Sequence, residues 1–271
     1  MSPALDQVGG LTEPQQNQKI WDNYIEGTYA ELRSIPISPI TRNTNRGVVL
    51  IEPREHPHLE YVIRNVLYFL EPDWGLQIFS GNKNHQFVQN FTDGWGDIFY
   101  ENLGVDDLST RGYNHVKRTA EFWQRVRFEQ VLWIEPDCLL RRRGVEEFLG
   151  YDYVGAPWGP RHAISPDCRV GNGGLSLRKR SAMLRVADNA NTHHSLFAPE
   201  DMYFCVNMNL ANSLQPGSFR LPEFETAQRF SVETVFHPNP LGLHKAWRFL
   251  PTEQLTDLLD GISYSDSGSE R

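Results

Sequence analysis

Hydrophobic positions follow two alternating patterns between residues 47 and 140. Continuous apolar runs at 47–51 and 131–134 are typical of strands buried on both faces of a sheet. Residues 58–70 instead place apolar side chains at helical spacing, which predicts an amphipathic helix. A strand at 74–80, a short strand at 97–103 and a helix at 112–126 continue the alternation. This order predicts an α/β fold whose sheet is parallel at least in its first half.

The regular alternation of strand and helix patterns ends after residue 140. The pattern predicts a short helix at 144–149, a strand that breaks into a turn at 151–158, a Gly-rich turn that enters a strand at 171–178, helices at 179–189 and 202–210, and a last strand at 230–233. Residues 159–170 contain turn residues without periodicity, and we interpret them as a mobile loop that closes over a ligand as a lid.

Both ends of the chain lie outside this pattern. Residues 13–33 have the spacing of an amphipathic helix, which packs either on the domain or on a second subunit, so a homo-oligomer through this helix stays open. We divide the chain into an N-terminal arm and helix at 1–46, one domain at 47–250, and a C-terminal helix with a disordered tail at 251–271.

Composition narrows the class of protein. The 271 residues carry a formal net charge of -8, which argues against a nonspecific nucleic-acid binder. No apolar stretch has the length of a membrane span, and the N-terminus lacks the pattern of a signal peptide. The three cysteines Cys138, Cys168 and Cys205 lack zinc-type spacing. We therefore expect a soluble cytoplasmic protein with free thiols and neither a nucleic-acid partner nor a membrane span.

Two acids follow the apolar run at 131–134. Glu135 and Asp137 are separated by Pro136, which restricts the backbone of the turn. Ligands of open α/β sheets bind beyond the carboxyl ends of the strands, and Mg²⁺ and Mn²⁺ prefer carboxylate oxygens. The pair therefore fits a metal site that faces substrate phosphates. A solvated polar turn is the alternative that the tripeptide alone leaves open.

Other residues each allow a structural and a functional interpretation. Glu200 and Asp201 either complement a helix dipole or supply a general base. His244 is either a structural histidine or a metal ligand, and Trp158 either packs in the core or stacks on a sugar ring.

The Gly-rich turn at 171–178 is open in the same way. Gly171, Gly173 and Gly174 either form a plain tight turn or bring backbone N–H groups close to a sugar or phosphate. The spacing is not that of a dinucleotide-binding fingerprint.

In their order along the chain, these stretches resemble a family of GT-A-like glycosyltransferase domains. The resemblance spans residues 47–250 and rests on the acidic tripeptide followed by the segments Tyr-Asp-Tyr-Val-Gly-Ala-Pro-Trp, Gly-Asn-Gly-Gly-Leu-Ser-Leu-Arg, Pro-Glu-Asp, Phe-Ser-Val-Glu and Gly-Leu-His-Lys-Ala-Trp. It implies a GT-A-like, Rossmann-like mixed sheet flanked by helices in a single domain.

The resemblance also implies roles for individual residues. Asp137, His244 and Glu135 are implied as ligands of Mn²⁺ or Mg²⁺, although this chain has Glu135 where the family motif begins with Asp. Asp201 is implied as the catalytic base with Glu200 beside it. The remaining implied roles are donor binding by Glu52, Arg54, Glu135 and Asp137, and acceptor binding by Trp158, Gly173, Gly174 and Glu233.

The expected function is therefore a metal-dependent glycosyltransferase. It would move a sugar from a nucleotide-sugar donor to a hydroxyl of a carbohydrate or glycan acceptor, with inversion of the anomeric configuration. Two alternatives stay open at this point. One is a catalytically inactive sugar- or nucleotide-binding relative, and the other is a nucleotidyltransferase, which also uses paired carboxylates and a metal.

Overall fold

The computed structural model describes residues 11–42, 44–160, 170–188 and 199–264. The helices are α1 (Glu13–Ser34), α2 (Leu59–Phe69), α3 (His85–Phe91), α4 (Thr110–Arg118), α5 (Ala120–Arg125), α6 (Arg180–Ala187), α7 (Glu200–Leu214), α8 (Phe224–Phe230), α9 (Ala246–Phe249) and α10 (Thr252–Asp260). The strands are β1 (Arg46–Glu52), β2 (Trp74–Ser80), β3 (Phe99–Asn102), β4 (Gln130–Trp133), β5 (Cys138–Leu140), β6 (Tyr153–Gly155), β7 (Ser176–Lys179), β8 (Ser231–Val232) and β9 (Gly242–His244).

A mixed six-stranded sheet lies at the centre of the fold. Its strand order is β3-β2-β1-β4-β7-β6. The four strands β3, β2, β1 and β4 run parallel, whereas β7 is antiparallel to both β4 and β6. The mixed, helix-flanked sheet that the resemblance implied is therefore confirmed.

Neighbouring residues of the central strands belong to opposite hydrophobic cores. In β1, Val48 and Leu50 pack into a core shared with α1, α2 and α10, while Val49 and Ile51 pack into a core shared with α5, α6 and α7. Successive side chains of a strand point to opposite faces of its sheet. The continuous apolar runs of the sequence thus reflect a sheet covered on both faces.

A smaller sheet with the order β5-β9-β8 brings distant segments together. Its antiparallel β5–β9 pair places Cys138 opposite His244. Beyond the end of this ladder, the Lys245 N–H donates to the Asp137 carbonyl oxygen at 3.1 Å. The register therefore fixes the end of the acidic tripeptide beside His244, although more than 100 residues separate them in sequence.

Helix α1 packs on its own domain. Its apolar stripe, Trp21, Ile25 and Leu32, is buried in the same core as α2 and α10. Oligomerisation through α1 and the division of the chain at residues 46 and 250 stay predictions. No helix in the described ranges is both long and apolar enough to cross a membrane.

Several predicted boundaries differ from the structure. The single helix predicted at 112–126 is wrong, because Thr119 ends α4 and its side chain accepts the N–H of Phe122 at the start of α5. Helix α7 begins at Glu200 rather than residue 202. The pattern missed α3, α8, α9, β5 and β9. Most of the proposed lid, residues 161–169, lies outside the described residues.

Candidate active site

The carboxyl ends of β1 and β4 open into one cavity of about 400 Å³. Because these two strands are parallel neighbours, Glu52 at the end of β1 and Glu135 beyond the end of β4 reach the same edge of the sheet. The residues that line the cavity include Glu52, Arg54, Tyr113, Asn114, Lys117, Glu135, Asp137, Asn172, Gly173, Gly174, Glu200, Asp201, Glu233, His244 and Lys245. The cavity therefore brings together all predicted site residues except Trp158 and Gly171.

Glu135, Asp137 and His244 form one cluster in this cavity. His244 Nε2 lies 3.4 Å from Asp137 Oδ1 and 3.6 Å from Glu135 Oε2. The imidazole is buried, and its Nδ1 lies 3.2 Å from Glu233 Oε1. The side chain predicted to bind an acceptor, Glu233, is thus placed behind the candidate metal ligand His244.

Two lysines flank the strand-end acids. Lys117 Nζ lies 3.1 Å from Glu135 Oε1, and Lys245 Nζ lies 3.1 Å from Asp137 Oδ2. Burial alone would raise the pKa of Glu135, but the charges of Lys117 and His244 outweigh burial and hold this pKa well below its usual range. Burial likewise opposes ionisation of Asp137, yet His244 and Lys245 lower its pKa. Both carboxylates are therefore held ionised.

Two buried atoms of this cluster suit a divalent cation. Asp137 Oδ1 and His244 Nε2 face each other and have no hydrogen-bond partner among the described residues. Two ligands at right angles on one Mg²⁺ are roughly 3 Å apart, since each lies at about 2.1 Å from the ion. The observed 3.4 Å is close to that spacing. Cys138 Sγ lies within reach as well, but its thiol donates to the Gly174 carbonyl oxygen.

Glu200 is enclosed by protein cations. Arg178 makes two hydrogen bonds to its carboxylate, at 2.8 and 3.1 Å, and Lys117 Nζ lies 2.6 Å from Glu200 Oε1. Burial raises the pKa of Glu200, but Arg178 and then Lys117 lower it by more, so the net shift is downward. All three side chains are at most 3% exposed. Glu200 is therefore an ionised, fully paired carboxylate with little capacity to accept a proton.

Asp201 is placed differently, although it is the next residue. Its carboxylate accepts the backbone N–H groups of Gly173 at 3.2 Å and Met202 at 2.7 Å. Burial, followed by the negative charge of Glu200, raises the pKa of Asp201 to about 6. The carboxylate lines the cavity with a pKa close to neutral pH, which is where a general base works best.

Two glycines allow the cluster to pack this closely. A Cβ atom on Gly174 would lie 2.0 Å from His244 Nε2, and one on Gly173 would lie 2.4 Å from Glu200 Oε1. No side chain fits at such distances. The absence of side chains at these two glycines therefore lets the backbone of the Gly-rich turn pack directly against His244 and Glu200.

The other predicted residues vary in their accessibility. Glu52 is buried and binds Arg54 through two hydrogen bonds, at 2.8 and 3.0 Å, while the Arg54 side chain is largely exposed at the cavity. Trp158 is buried against Cys205 and lies outside the described lining of the cavity. A stacking role for Trp158 stays a prediction that its position does not favour.

Sequence reasoning missed the lysines of the site and its buried arginine. Lys117 is the one buried residue of α4, and Arg178 is fully buried in β7, whose sequence is Ser-Leu-Arg-Lys. Charged residues at positions that the pattern assigns to a core are a signal, since such residues are rarely buried unless paired. Asn172, which donates to Glu233 at 2.8 Å, carried no comparable signal.

Comparison with known proteins identifies the family. Residues 104–244 match the model of the family described as Protein of unknown function (DUF5672), and this match covers more than half of the chain. The chain belongs to that family. No functionally curated protein matches its sequence.

Solved structures that resemble this chain include two of the glycosyltransferase GlyE and one of TarS. The apo-form glycosyltransferase GlyE of Streptococcus pneumoniae TIGR4 is 12% identical, with a TM-score of 0.47 over 80% of this chain and 60% of that chain. A second GlyE structure is 13% identical, with a TM-score of 0.43 over 80% of this chain and 60% of that chain. Residues 1–349 of S. aureus TarS, in complex with UDP, are 7% identical, with a TM-score of 0.41 over 61% of this chain and 56% of that chain. The chain thus spans about 60% of GlyE, and likeness at this level carries nothing about substrate or activity.

Proposed function

We propose that this protein is a metal-dependent glycosyltransferase that inverts the configuration of the transferred sugar. The observation that carries the proposal is the meeting of two different acidic centres in one cavity. Glu135, Asp137 and His244 form one centre, and Asp201, whose pKa is raised to about 6, forms the other. Such a cavity, at about 400 Å³, has the size of a small-ligand site.

The excess of negative charge in the cavity supports a divalent metal ion as ligand. Among the described residues that line it or pair with its acids, six carboxylates face four permanent cations, Arg54, Lys117, Arg178 and Lys245. Burial lowers the pKa of His244, but Asp137 and the other neighbouring acids raise it by more, so without a metal the imidazole is protonated and one negative charge remains. A metal binds the neutral imidazole, so metal binding would release that proton and leave two negative charges, which match one divalent ion. Asp137 and His244 would hold Mn²⁺ or Mg²⁺ with Glu135 beside them, and the ion would supply charge neutralisation for a leaving diphosphate.

Asp201 would serve as the general base. It takes the proton of the acceptor hydroxyl while the hydroxyl oxygen bonds to the anomeric carbon. The bond from that carbon to the diphosphate oxygen breaks, and a nucleoside diphosphate leaves. Glu200 directly precedes Asp201, and its negative charge would raise the pKa of Asp201. Glu200 stays ionised because Arg178 and Lys117 pair with its carboxylate.

The backbone supports this assignment of the base. The N–H groups of Gly173 and Met202 fix both oxygens of Asp201, so the carboxylate is oriented before any substrate enters. Preorganised groups of this kind contribute to catalysis without a cost of reorganisation during the reaction.

The experiment is a panel of nucleotide sugars tested by thermal shift and turnover. With Mn²⁺, the correct donor should raise the melting temperature and release a nucleoside diphosphate, even by slow hydrolysis without acceptor. EDTA should abolish both effects. Pyrophosphate release from nucleoside triphosphates would assign a nucleotidyltransferase instead. Stabilisation without any turnover across donors and acceptors would assign an inactive binding relative.

A further inference from the structure

Lys245 has a backbone conformation that is unusual for its residue type. Its φ is 49°, in the left-handed region, and it is the one non-glycine residue of the described ranges with a positive φ. It directly follows His244 and precedes α9. The conformation costs energy for a residue with a Cβ atom, and such strain concentrates at functional sites.

Contacts to Asp137 explain what this conformation achieves. The Lys245 N–H donates to the Asp137 carbonyl oxygen, and the Lys245 ammonium lies 3.1 Å from Asp137 Oδ2 and 3.8 Å from Glu135 Oε2. The same residue thus binds Asp137 through backbone and side chain. An ammonium group is placed against both acids of the tripeptide.

The two oxygens of Asp137 face different partners. Oδ2 faces the Lys245 ammonium, whereas Oδ1 faces His244 Nε2 without a hydrogen bond. A divalent ion held between Oδ1 and Nε2 would lie within a few ångströms of the ammonium. Like charges at such distances repel strongly inside a protein. The metal and the ammonium therefore compete for the same carboxylates.

The second lysine of the site differs in a way that decides which cation gives way. Lys117 is 2% exposed at its side chain and is held between Glu135 and Glu200, with its ammonium over the rings of Tyr113 and Trp133. The Lys245 side chain is 32% exposed. Its ammonium can reach water by rotation of side-chain bonds, whereas the Lys117 ammonium cannot leave without unpairing both Glu135 and Glu200.

We propose that Lys245 is an internal counter-ion of the metal site, which neutralises Asp137 and Glu135 while no metal is bound and which a divalent cation must displace. The inference rests on the metal site of the proposed function. It implies that the protein binds the ion alone only weakly, and that the displaced ammonium becomes available to an anionic ligand in the cavity.

A titration with Mn²⁺ alone tests the competition, with free Mn²⁺ followed by electron paramagnetic resonance. Lys245→Met removes the charge and keeps the length of the side chain. It should bind Mn²⁺ at least about tenfold more tightly than the wild type, because repulsion by the ammonium and the ion pair are both lost. Lys245→Arg keeps the charge and should stay within about threefold of the wild type. Asp137→Asn, which removes a ligand, should bind most weakly.

Loss of a counter-ion and damage to the site would change the Mn²⁺ affinity of Lys245→Met in opposite directions. Damage lowers metal affinity, so unchanged or weaker Mn²⁺ binding by Lys245→Met would overturn the role of Lys245 while leaving the metal site in place. Absence of Mn²⁺ binding in the wild type and in Lys245→Met would instead overturn the metal site itself. Lys245→Gly suits the left-handed backbone and carries the same expectation if Lys245→Met does not fold.

Discussion

Glu135 and Asp137 at the end of the central sheet differ from Glu200 and Asp201 at the start of α7 in how protein cations surround them. Both strand-end acids face cations, and both have lowered pKa values. In the helix-start pair, Arg178 and Lys117 bind only Glu200, and the pKa of Asp201 is raised to about 6.

This difference separates two kinds of chemistry in one cavity. A carboxylate that stays ionised over a wide pH range is suited to hold a cation, whereas one that titrates near neutral pH is suited to exchange a proton. Lys117 contacts one acid of each pair, Glu135 and Glu200, and so connects the two centres.

Removal of the metal should have the largest effect. We expect EDTA to abolish turnover and added Mn²⁺ or Mg²⁺ to restore it. Asp137→Asn should weaken Mn²⁺ binding by more than about tenfold, since even residues behind the ligands change metal affinity by 10- to 100-fold. Glu135→Gln should have a smaller effect, because Lys117 already occupies one Glu135 oxygen. Full activity in EDTA would contradict the proposed metal dependence.

Asp201→Asn should have the next largest effect. The substitution keeps the shape of the side chain and removes the proton acceptor, so kcat should fall about 100- to 10,000-fold. Donor affinity should change little, because donor binding is assigned to the strand-end centre. Asp93→Asn, on an exposed turn outside the cavity, is the matched control and should behave as the wild type. Near-normal turnover of Asp201→Asn would show that another residue is the general base.

Loss of Arg178 should affect stability. The fully buried guanidinium pairs with Glu200, and Arg178→Met leaves that carboxylate with Lys117 alone. Breaking a buried pair costs about 3 kcal/mol or more. Urea unfolding should show this loss, and the double variant Arg178→Met/Glu200→Gln should recover part of it. Equal stability of Arg178→Met and the wild type would mean that the pair does not hold Glu200 ionised.

The pH dependence of activity should show the smallest effect. Because the pKa of Asp201 is raised to about 6, its base form is lost as the pH falls through that value. With saturating metal, kcat/KM should therefore drop about tenfold for each pH unit below 6. A profile that stays flat from pH 7 to pH 5 would assign the proton transfer to another group.

Most of the fold followed from the sequence because the sheet is buried on both faces. Continuous apolar runs predicted β1 and β4, the alternation of strand and helix patterns predicted β2, and helical spacing predicted α1 and α2. The short strand β5 was missed because its ladder partner β9 lies more than 100 residues away. The break between α4 and α5 depends on one capping side chain, that of Thr119, inside a pattern that continues across it.

The acids of the candidate site were predictable from the sequence, whereas its lysines and its buried arginine were not. Acids that follow a strand or begin a helix stand out against apolar neighbours, as Glu135 and Asp201 do. The pairing of Lys117 with Glu135 and Glu200 depends on three segments that only the folded chain brings together. The raised pKa of Asp201 likewise depends on burial and on a neighbour whose charge is held elsewhere.

Proton NMR of the product that the wild-type protein forms with Mg²⁺, a nucleotide-sugar donor and an acceptor tests metal-dependent inverting transfer directly. We expect a glycosidic product whose anomeric configuration is opposite to that of the donor, formed only while the metal is present. A product with retained configuration, or one formed equally well in EDTA, would contradict it.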